Sequence, residues 1–184
     1  MPTPTPPTHY AHPACLEDQP LLDQCRFTRG RSSGPGGQHR NKVETEVTLT
    51  HKPTGTIAVA GERRSQIENK HVALRRLRLL LATHVRGTPP IVRGLAAIDE
   101  PAGSALWRTR NHAGRIVCSP DHHDFPALLA EALDYLAHSD WDVKRAALRL
   151  DVTASQLIKL IKDHPHAFEF VNRQRAQRQL HPLK

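Results

Sequence analysis

The stretch KVETEVTLTHKPTGTIAVAG, residues 42–61, alternates apolar and polar side chains and then turns back on itself. Val43, Thr45, Val47 and Leu49 fall on one side of an extended chain, and Glu44, Glu46 and Thr48 on the other. That period of two marks a half-buried strand. Lys52–Gly55 reads as a turn, with proline second and glycine fourth. TIAVAG then returns as a second strand, with Ile57 and Val59 expected toward the core. The two strands make a hairpin.

A helix follows. In SQIENKHVALRRLRLLLATH, Ser65 stands as N-cap with Glu68 three residues on, the pattern of a capping box. Ile67, His71, Leu74, Leu77 and Leu81 make one helical stripe, with Lys70, Arg75, Arg76 and Arg78 mostly off it. Upstream, LLDQCRFTRG enters a strand near Cys25–Arg29. The expected fold class is α+β: strand, glycine-rich loop, hairpin and helix over residues 25–86, then an all-α module. Residues 1–24, Pro/Thr-rich at their start, are expected to be disordered. Residues 87–123, with Pro89, Pro90, Gly94, Pro101, Gly103 and Gly114, read as a linker, although ALWRTR and RIVCS within it are not linker-like.

Residues 124–164 turn helical. Asp124 is the expected cap of FPALLAEALDYLAH, Ser139 or Asp140 of WDVKRAALRL, and Thr153 with Gln156 of ASQLIKLIKDH. Two helices, a four-residue turn and a further helix give the layout of a helix-turn-helix. RAALRLDVTASQL resembles the Fis-type version, in which paired alanines let helices approach closely, except that Asp151 stands where glycine is usual. Leu148, Leu157, Ile158, Leu160 and Ile161 are expected in the core. Residues 165–184 read as a basic tail carrying Arg173, Arg175, Arg178 and Lys184.

Charge is concentrated in one segment. The chain of 184 residues carries +8 overall, yet residues 26–86 hold 13 basic and 4 acidic side chains while 87–164 hold 9 and 10. A polyanionic partner fits that distribution, against the plain alternative of a solubilising surface. Three cysteines make no disulfide framework, no apolar run approaches a membrane span, and MPTPTPPTHYAHPA carries no targeting signature, so a reducing cytoplasm is expected.

The loop RSSGPGGQHRNK, residues 31–42, lies inside the basic segment. Gly34, Gly36 and Gly37 permit positive φ and close approach of another molecule. Arg29, Arg31, Arg40 and Lys42 flank it with charges suited to phosphates. Gln38 has no useful pKa and so cannot act as acid or base. It can orient a water with its amide, and its backbone N–H can donate to a developing oxyanion. A phosphate-binding P-loop would need Lys-Ser/Thr where Gln38-His39 stands, and the glycine spacing does not fit a dinucleotide fingerprint. On residues alone a flexible glycine-rich turn remains open.

The ordered combination of GGQ, the following NK, the HKPTG turn and the RSQIENKHVALRRL helix resembles the catalytic domain of class I peptide chain release factors over roughly residues 25–82. The resemblance implies that the loop enters the peptidyl transferase centre of the large ribosomal subunit and promotes hydrolysis of the peptidyl-tRNA ester. Gln38 would position the attacking water and stabilise the oxyanion through its N–H, with Gly36 and Gly37 permitting the backbone shape. It also implies N-methylation of Gln38 by a glutamine methyltransferase. Arg40 departs from the small apolar residue many relatives have, and extra contact with ribosomal RNA is expected there. Arg29, Arg31, Arg40, Lys42, Arg63, Arg64, Lys70, Arg75, Arg173, Arg175 and Arg178 are the expected RNA contacts.

About 24 residues precede the catalytic unit and no codon-reading domain surrounds their Pro/Thr tract, so stop-codon recognition is not expected. The chain is more similar to short stand-alone GGQ hydrolases that rescue stalled ribosomes, some of which place a basic tail in the empty mRNA channel; a solvated helix end is the alternative for this tail. Partners are then the ribosome and peptidyl-tRNA, with no membrane, no cofactor and a monomeric state expected. His112, Cys118, His122 and His123 match no zinc spacing, and no metal is expected. Two other functions stay open: codon-dependent termination with a separate reader protein, and a non-enzymatic rRNA- or DNA-binding protein using the helix-turn-helix, whose second helix offers only Gln156, Lys159 and Lys162 for DNA.

Overall fold

The computed structural model describes residues 10–31, 44–89 and 103–184. Strands β1 (Cys25–Gly30), β2 (Glu46–His51) and β3 (Ile57–Ala60) pair antiparallel in the order β1-β2-β3. Leu49 lies opposite both Phe27 and Ala58, and Val47 opposite Arg29 and Ala60. Opposed residues share a face of the sheet, and Val47 and Leu49 are fully buried. Ala58 and Ala60 therefore point inward, whereas Ile57 and Val59, expected there, are 56% and 43% exposed. The small side chains sit where the next helix packs on β3. Gly55, at φ 70°, donates its N–H to the His51 carbonyl at 2.8 Å and closes the turn.

That helix, α2 (Gln66–His84), starts with the Ser65 hydroxyl accepting the Glu68 N–H at 3.5 Å. Its buried stripe runs through Asn69, Ala73, Leu77 and Leu81, joined by Leu74. Ile67, at 70% exposure, and His71 lie outside it, contrary to expectation. The phase is set by a polar residue and an alanine, so the larger apolar side chains mislead there.

The segment 10–24 is folded rather than disordered. Pro13–Cys15 form a single 3-10 turn and α1 spans Asp18–Asp23. Tyr10 and Leu21 are buried, and the Tyr10 hydroxyl donates to Asp134. Arg78 of α2 pairs with Asp18 at 2.7 Å and donates to the Ala14 and Leu16 carbonyls, holding the segment along the helix. A few apolar anchors and one arginine suffice to order it, and the Pro/Thr tract of 1–9 lies outside the described residues.

Residues 103–123 are likewise part of the core rather than a linker. Helix α3 (Ala105–Arg110) is capped by the Ser104 hydroxyl and leads into a small hairpin of β4 (Asn111–His112) and β5 (Arg115–Ile116). Trp107 is fully buried and its indole N–H donates to the Leu150 carbonyl at 2.9 Å. The glycines that made this stretch look loose serve tight turns: Gly114 sits at φ 81° in the hairpin.

Helix α4 (Phe125–Ala137) is buried along most of its length and packs on α2 and on the two helices that follow. Asp124 precedes it but directs its carboxylate to Arg110 instead of capping the helix. Helix α5 (Val143–Arg149) begins later than expected, because Asp140 and Trp141 turn the corner at φ 52° and 63° and Asp142 caps, accepting from Lys144 and Arg145 N–H at 2.8 and 3.2 Å. Asp151 adopts φ 52° in the next turn, and Thr153 caps α6 (Ala154–Lys162) by accepting the Gln156 N–H at 3.2 Å. Ala146 and Ala147 are buried where α5 meets α6, but Leu148, expected in the core, is 82% exposed.

Residues 165–184 are not a loose tail. Helix α7 (Pro165–Ala176) buries Ala167 and Val171, and the chain beyond it folds back so that Leu183 N–H donates to Asn172 Oδ1 at 2.7 Å. The described residues share one hydrophobic core, from Tyr10 to Val171. A buried ion pair crosses it: Arg86, just past α2, stands 3.1 Å from Asp134 on α4, and Gly87 N–H donates to the same carboxylate at 2.8 Å. A Cβ at Gly87 would lie 2.7 Å from Asp134 Oδ2, so glycine is what allows this approach.

Candidate catalytic loop and its frame

Gly36, Gly37, Gln38, Arg40 and Lys42 lie outside the described residues, so the site is read from the frame that presents them. Both limbs of the loop grow from one strand pair, in which Gly30 opposes Glu46. Beyond that pair Arg31 and Glu44 face each other at 3.7 Å across the neck. Both are more than half exposed, so their attraction contributes little.

The second limb is fixed by Asn69. Its side chain is fully buried and its Nδ2 donates to the Thr45 carbonyl at 2.6 Å and the Arg63 carbonyl at 3.0 Å, while Oδ1 accepts the Arg63 N–H at 2.9 Å. One amide thereby ties the chain leaving the loop to the chain entering α2. Sequence reasoning gave Asn69 no role. The signal was its place four residues before Ala73 and eight before Leu77, on what is the buried face.

At the far end of the hairpin His51, also fully buried, bonds Gln24 Oε1 at 3.0 Å and Thr54 Oγ1 at 2.7 Å. Burial lowers the pKa of this imidazole. A neutral ring donating from Nε2 to Gln24 and accepting at Nδ1 satisfies both contacts.

The expected RNA-contacting cations divide into two groups. Arg29 is exposed, with its guanidinium 5.7 Å from the Phe27 ring centroid. Arg63 and Arg64 are exposed and Lys70 half-buried, and none of the three has a side-chain partner among the described residues. Arg75, by contrast, donates to the Pro120 carbonyl and to Asp121 at 2.8 Å each, clasping α2 to the 120–121 turn. In the C-terminal segment Arg173 pairs with Glu169 at 3.0 Å. Arg175 donates to the His181 carbonyl at 2.9 Å and to the Trp141 carbonyl, and Arg178 lies over the Trp141 ring at 5.4 Å. Arg175 and Arg178 thus tie the C-terminal segment to Trp141, whereas Arg173 bonds within its own helix.

His122, His123 and Asp124 bring potential ligand atoms within 4.8 Å of one another, without His112 or Cys118. Arg110 already occupies that cluster. Its Nε and Nη2 donate to Asp124 Oδ2 at 2.9 and 2.6 Å, and Nη2 stands 3.1 Å from His122 Nε2. A guanidinium seated there opposes a second cation, so the donor set fits an internal ion pair. Among the described residues no helix is long and apolar enough to cross a membrane.

Residues 22–89 match the family model of the RF-1 domain. Peptide chain release factor 1 of Leptospira biflexa is 34% identical over 113 residues, which cover 58% of this chain and 32% of that protein. The protein of the same name from Ureaplasma parvum is 47% identical over 74 residues, 37% of this chain and 21% of that one. That of Rhodospirillum rubrum is 36% identical over 120 residues, 59% and 33% respectively. The chain spans a third or less of the length of these relatives.

Proposed function

We propose that this chain, whose residues 22–89 match the family model of the RF-1 domain, hydrolyses the ester between peptide and tRNA on the ribosome. Water adds to the ester carbonyl, the tetrahedral intermediate collapses, and the bond to the terminal ribose oxygen breaks, leaving a free peptide and a 3′ hydroxyl. Gln38 holds the water with its side-chain amide and donates its backbone N–H to the oxyanion, the atom on which charge develops. Gly36 and Gly37 let the backbone approach the terminal adenosine. Positioning and electrostatics carry the catalysis, which suits an amide with no titratable proton.

The observation that carries this reading is where GPGGQ sits in the chain: between paired strands β1 and β2, inside the matched segment, with its outgoing limb clamped by Asn69. Arg29, Arg31, Arg63, Arg64 and Lys70 on the frame, and Arg40 and Lys42 on the loop, contact ribosomal RNA phosphates. Exposed Arg173 and Arg178 add to that field, while Arg175 acts internally.

The proposal includes codon independence, that is, release on stalled ribosomes. Peptide release from ribosomes carrying truncated mRNA, measured beside ribosomes stopped at a termination codon, tests both levels. Release on both, lost in Gln38→Ala and in the Gly36→Ala/Gly37→Ala double variant, is expected. Release confined to the stop codon, and only with an added reader protein, removes the rescue reading; full release by the double variant removes the hydrolase reading.

A further inference from the structure

The inner face of the three-stranded sheet is covered unevenly. Register places Cys25, Phe27 and Arg29 of β1 on the same face as His51, Leu49 and Val47. Helix α2 packs on β2 and β3 rather than on β1. Exposure along β1 rises accordingly toward the loop: Cys25 is buried, Phe27 is 38% exposed and Arg29 is exposed. What remains is a groove of about 370 Å³ between β1, α1 and the first turns of α2. That size is at the lower end of small-ligand sites, roughly 300–1,000 Å³.

The lining has a definite chemistry. Phe27 and Leu22 give an apolar wall over buried Leu49, Arg29 and Lys70 two cations, and Gln19 and Gln66 two amides. Its carboxylate, Asp23, already accepts from Gln19 Nε2 at 2.7 Å. The Phe27 ring carries a planar cation, Arg29, at 5.7 Å. A half-exposed aromatic ring with an arginine near its face, a second cation and amides able to pair with a base edge is the equipment for holding an unstacked nucleotide. An acidic peptide would use the cations but leave the ring and the amides idle.

We infer that this groove binds one unpaired nucleotide of ribosomal RNA, with its base on Phe27 and its phosphates at Arg29 and Lys70. The inference rests on the ribosomal reading above. With the loop assigned to the tRNA 3′ end, the sheet behind it meets the RNA that surrounds that end.

The test uses the full chain and purified ribosomes. Phe27→Leu keeps the apolar volume but removes the ring, and ribosome affinity is expected to fall about tenfold, the size of one base stack. Phe27→Trp retains affinity. Arg29→Ala and Lys70→Ala each weaken binding and lower the slope of log affinity against log salt by about one. With p-benzoyl-phenylalanine in place of Phe27, irradiation of the bound complex gives a crosslink to ribosomal RNA. A crosslink to tRNA or to a ribosomal protein, or unchanged affinity in Phe27→Leu, overturns the inference. The two readings separate cleanly: if Gln38→Ala stops release while Phe27→Leu binds normally, the groove fails and the hydrolase stands. Binding through Phe27 without release by the wild type does the reverse, and no ribosome binding at all overturns both.

Discussion

Asn69 Nδ2 lies 2.6 Å from the Thr45 carbonyl, joining the first buried turn of α2 to the limb of the chain that leaves the GPGGQ loop. The same side chain also serves both backbone groups of Arg63. Replacing it with alanine strands three part-buried backbone groups, the Thr45 carbonyl and the N–H and carbonyl of Arg63. A loss of about 1–3 kcal/mol is expected, read as a lower urea midpoint at unchanged m-value. Peptide release should fall further than ribosome binding, because the limb is no longer held. A stability change under about 0.5 kcal/mol, the range of ordinary surface substitutions, would remove Asn69 from the frame.

Leu148 and Leu150 are two residues apart and opposite in environment. Leu150 is fully buried and its carbonyl accepts the Trp107 indole N–H, whereas Leu148 is 82% exposed. Leu150→Ala should cost about 2–5 kcal/mol, the range for a large core truncation. Leu148→Ser should stay within about 0.5 kcal/mol. Thermal unfolding of the two variants decides it, and equal losses would mean that Leu148 is packed.

The C-terminal arginines should likewise separate. Arg175 donates to the carbonyls of Trp141 and His181, whereas Arg173 pairs at the surface with Glu169, the two side chains 62% and 70% exposed. Arg175→Ala is expected to lower stability by about 1–3 kcal/mol through the half-buried Trp141 carbonyl left unpaired. Arg173→Ala should change it by less than about 0.5 kcal/mol. Denaturant midpoints check both, and an unaffected Arg175→Ala would return residues 165–184 to the solvated tail expected from sequence.

Sequence alone was informative where one local pattern had one solution. The alternation of Val47 and Leu49 fixed a strand face, Ser65 and Thr153 marked two helix starts, and Asp151 tolerated the left-handed turn. In TIAVAG every residue from Ile57 to Ala60 is apolar, so alternation carries no parity and only pairing with β2 decides which face is buried. Asn69 was hidden because a polar residue on a buried stripe has meaning only through its partners. Tyr10 finds Asp134 across 124 positions, and Trp107 finds Leu150 across 43, contacts that no local signal announces. Of the candidate site, the motif GPGGQ was plain in sequence, while its frame came from pairing and from Asn69. The division of the arginines between outward-facing Arg63 and Arg64 and inward-bonded Arg75 and Arg175 depended on packing.

Stability should fall as the medium is acidified, and His12 carries part of the effect. Its Nδ1 accepts the Ala14 N–H at 3.0 Å and its Nε2 lies 3.2 Å from the Val85 carbonyl, an arrangement that suits the neutral ring. Burial pushes this imidazole down to about 4, against about 6.5 in an unfolded chain. A depressed histidine binds its proton more readily when unfolded. Its contribution is therefore whole above about pH 6.5 and is lost as pH falls toward about 4, to a total on the order of 3 kcal/mol. His12→Gln removes the titrating group while leaving an amide to bond. Urea midpoints of wild type and variant at about pH 7.5, 6 and 5 isolate the effect, since other groups titrate alike in both. The gap between the two proteins should close as pH drops, and a gap that stays constant would mean that the His12 ring titrates alike in the folded and unfolded chain.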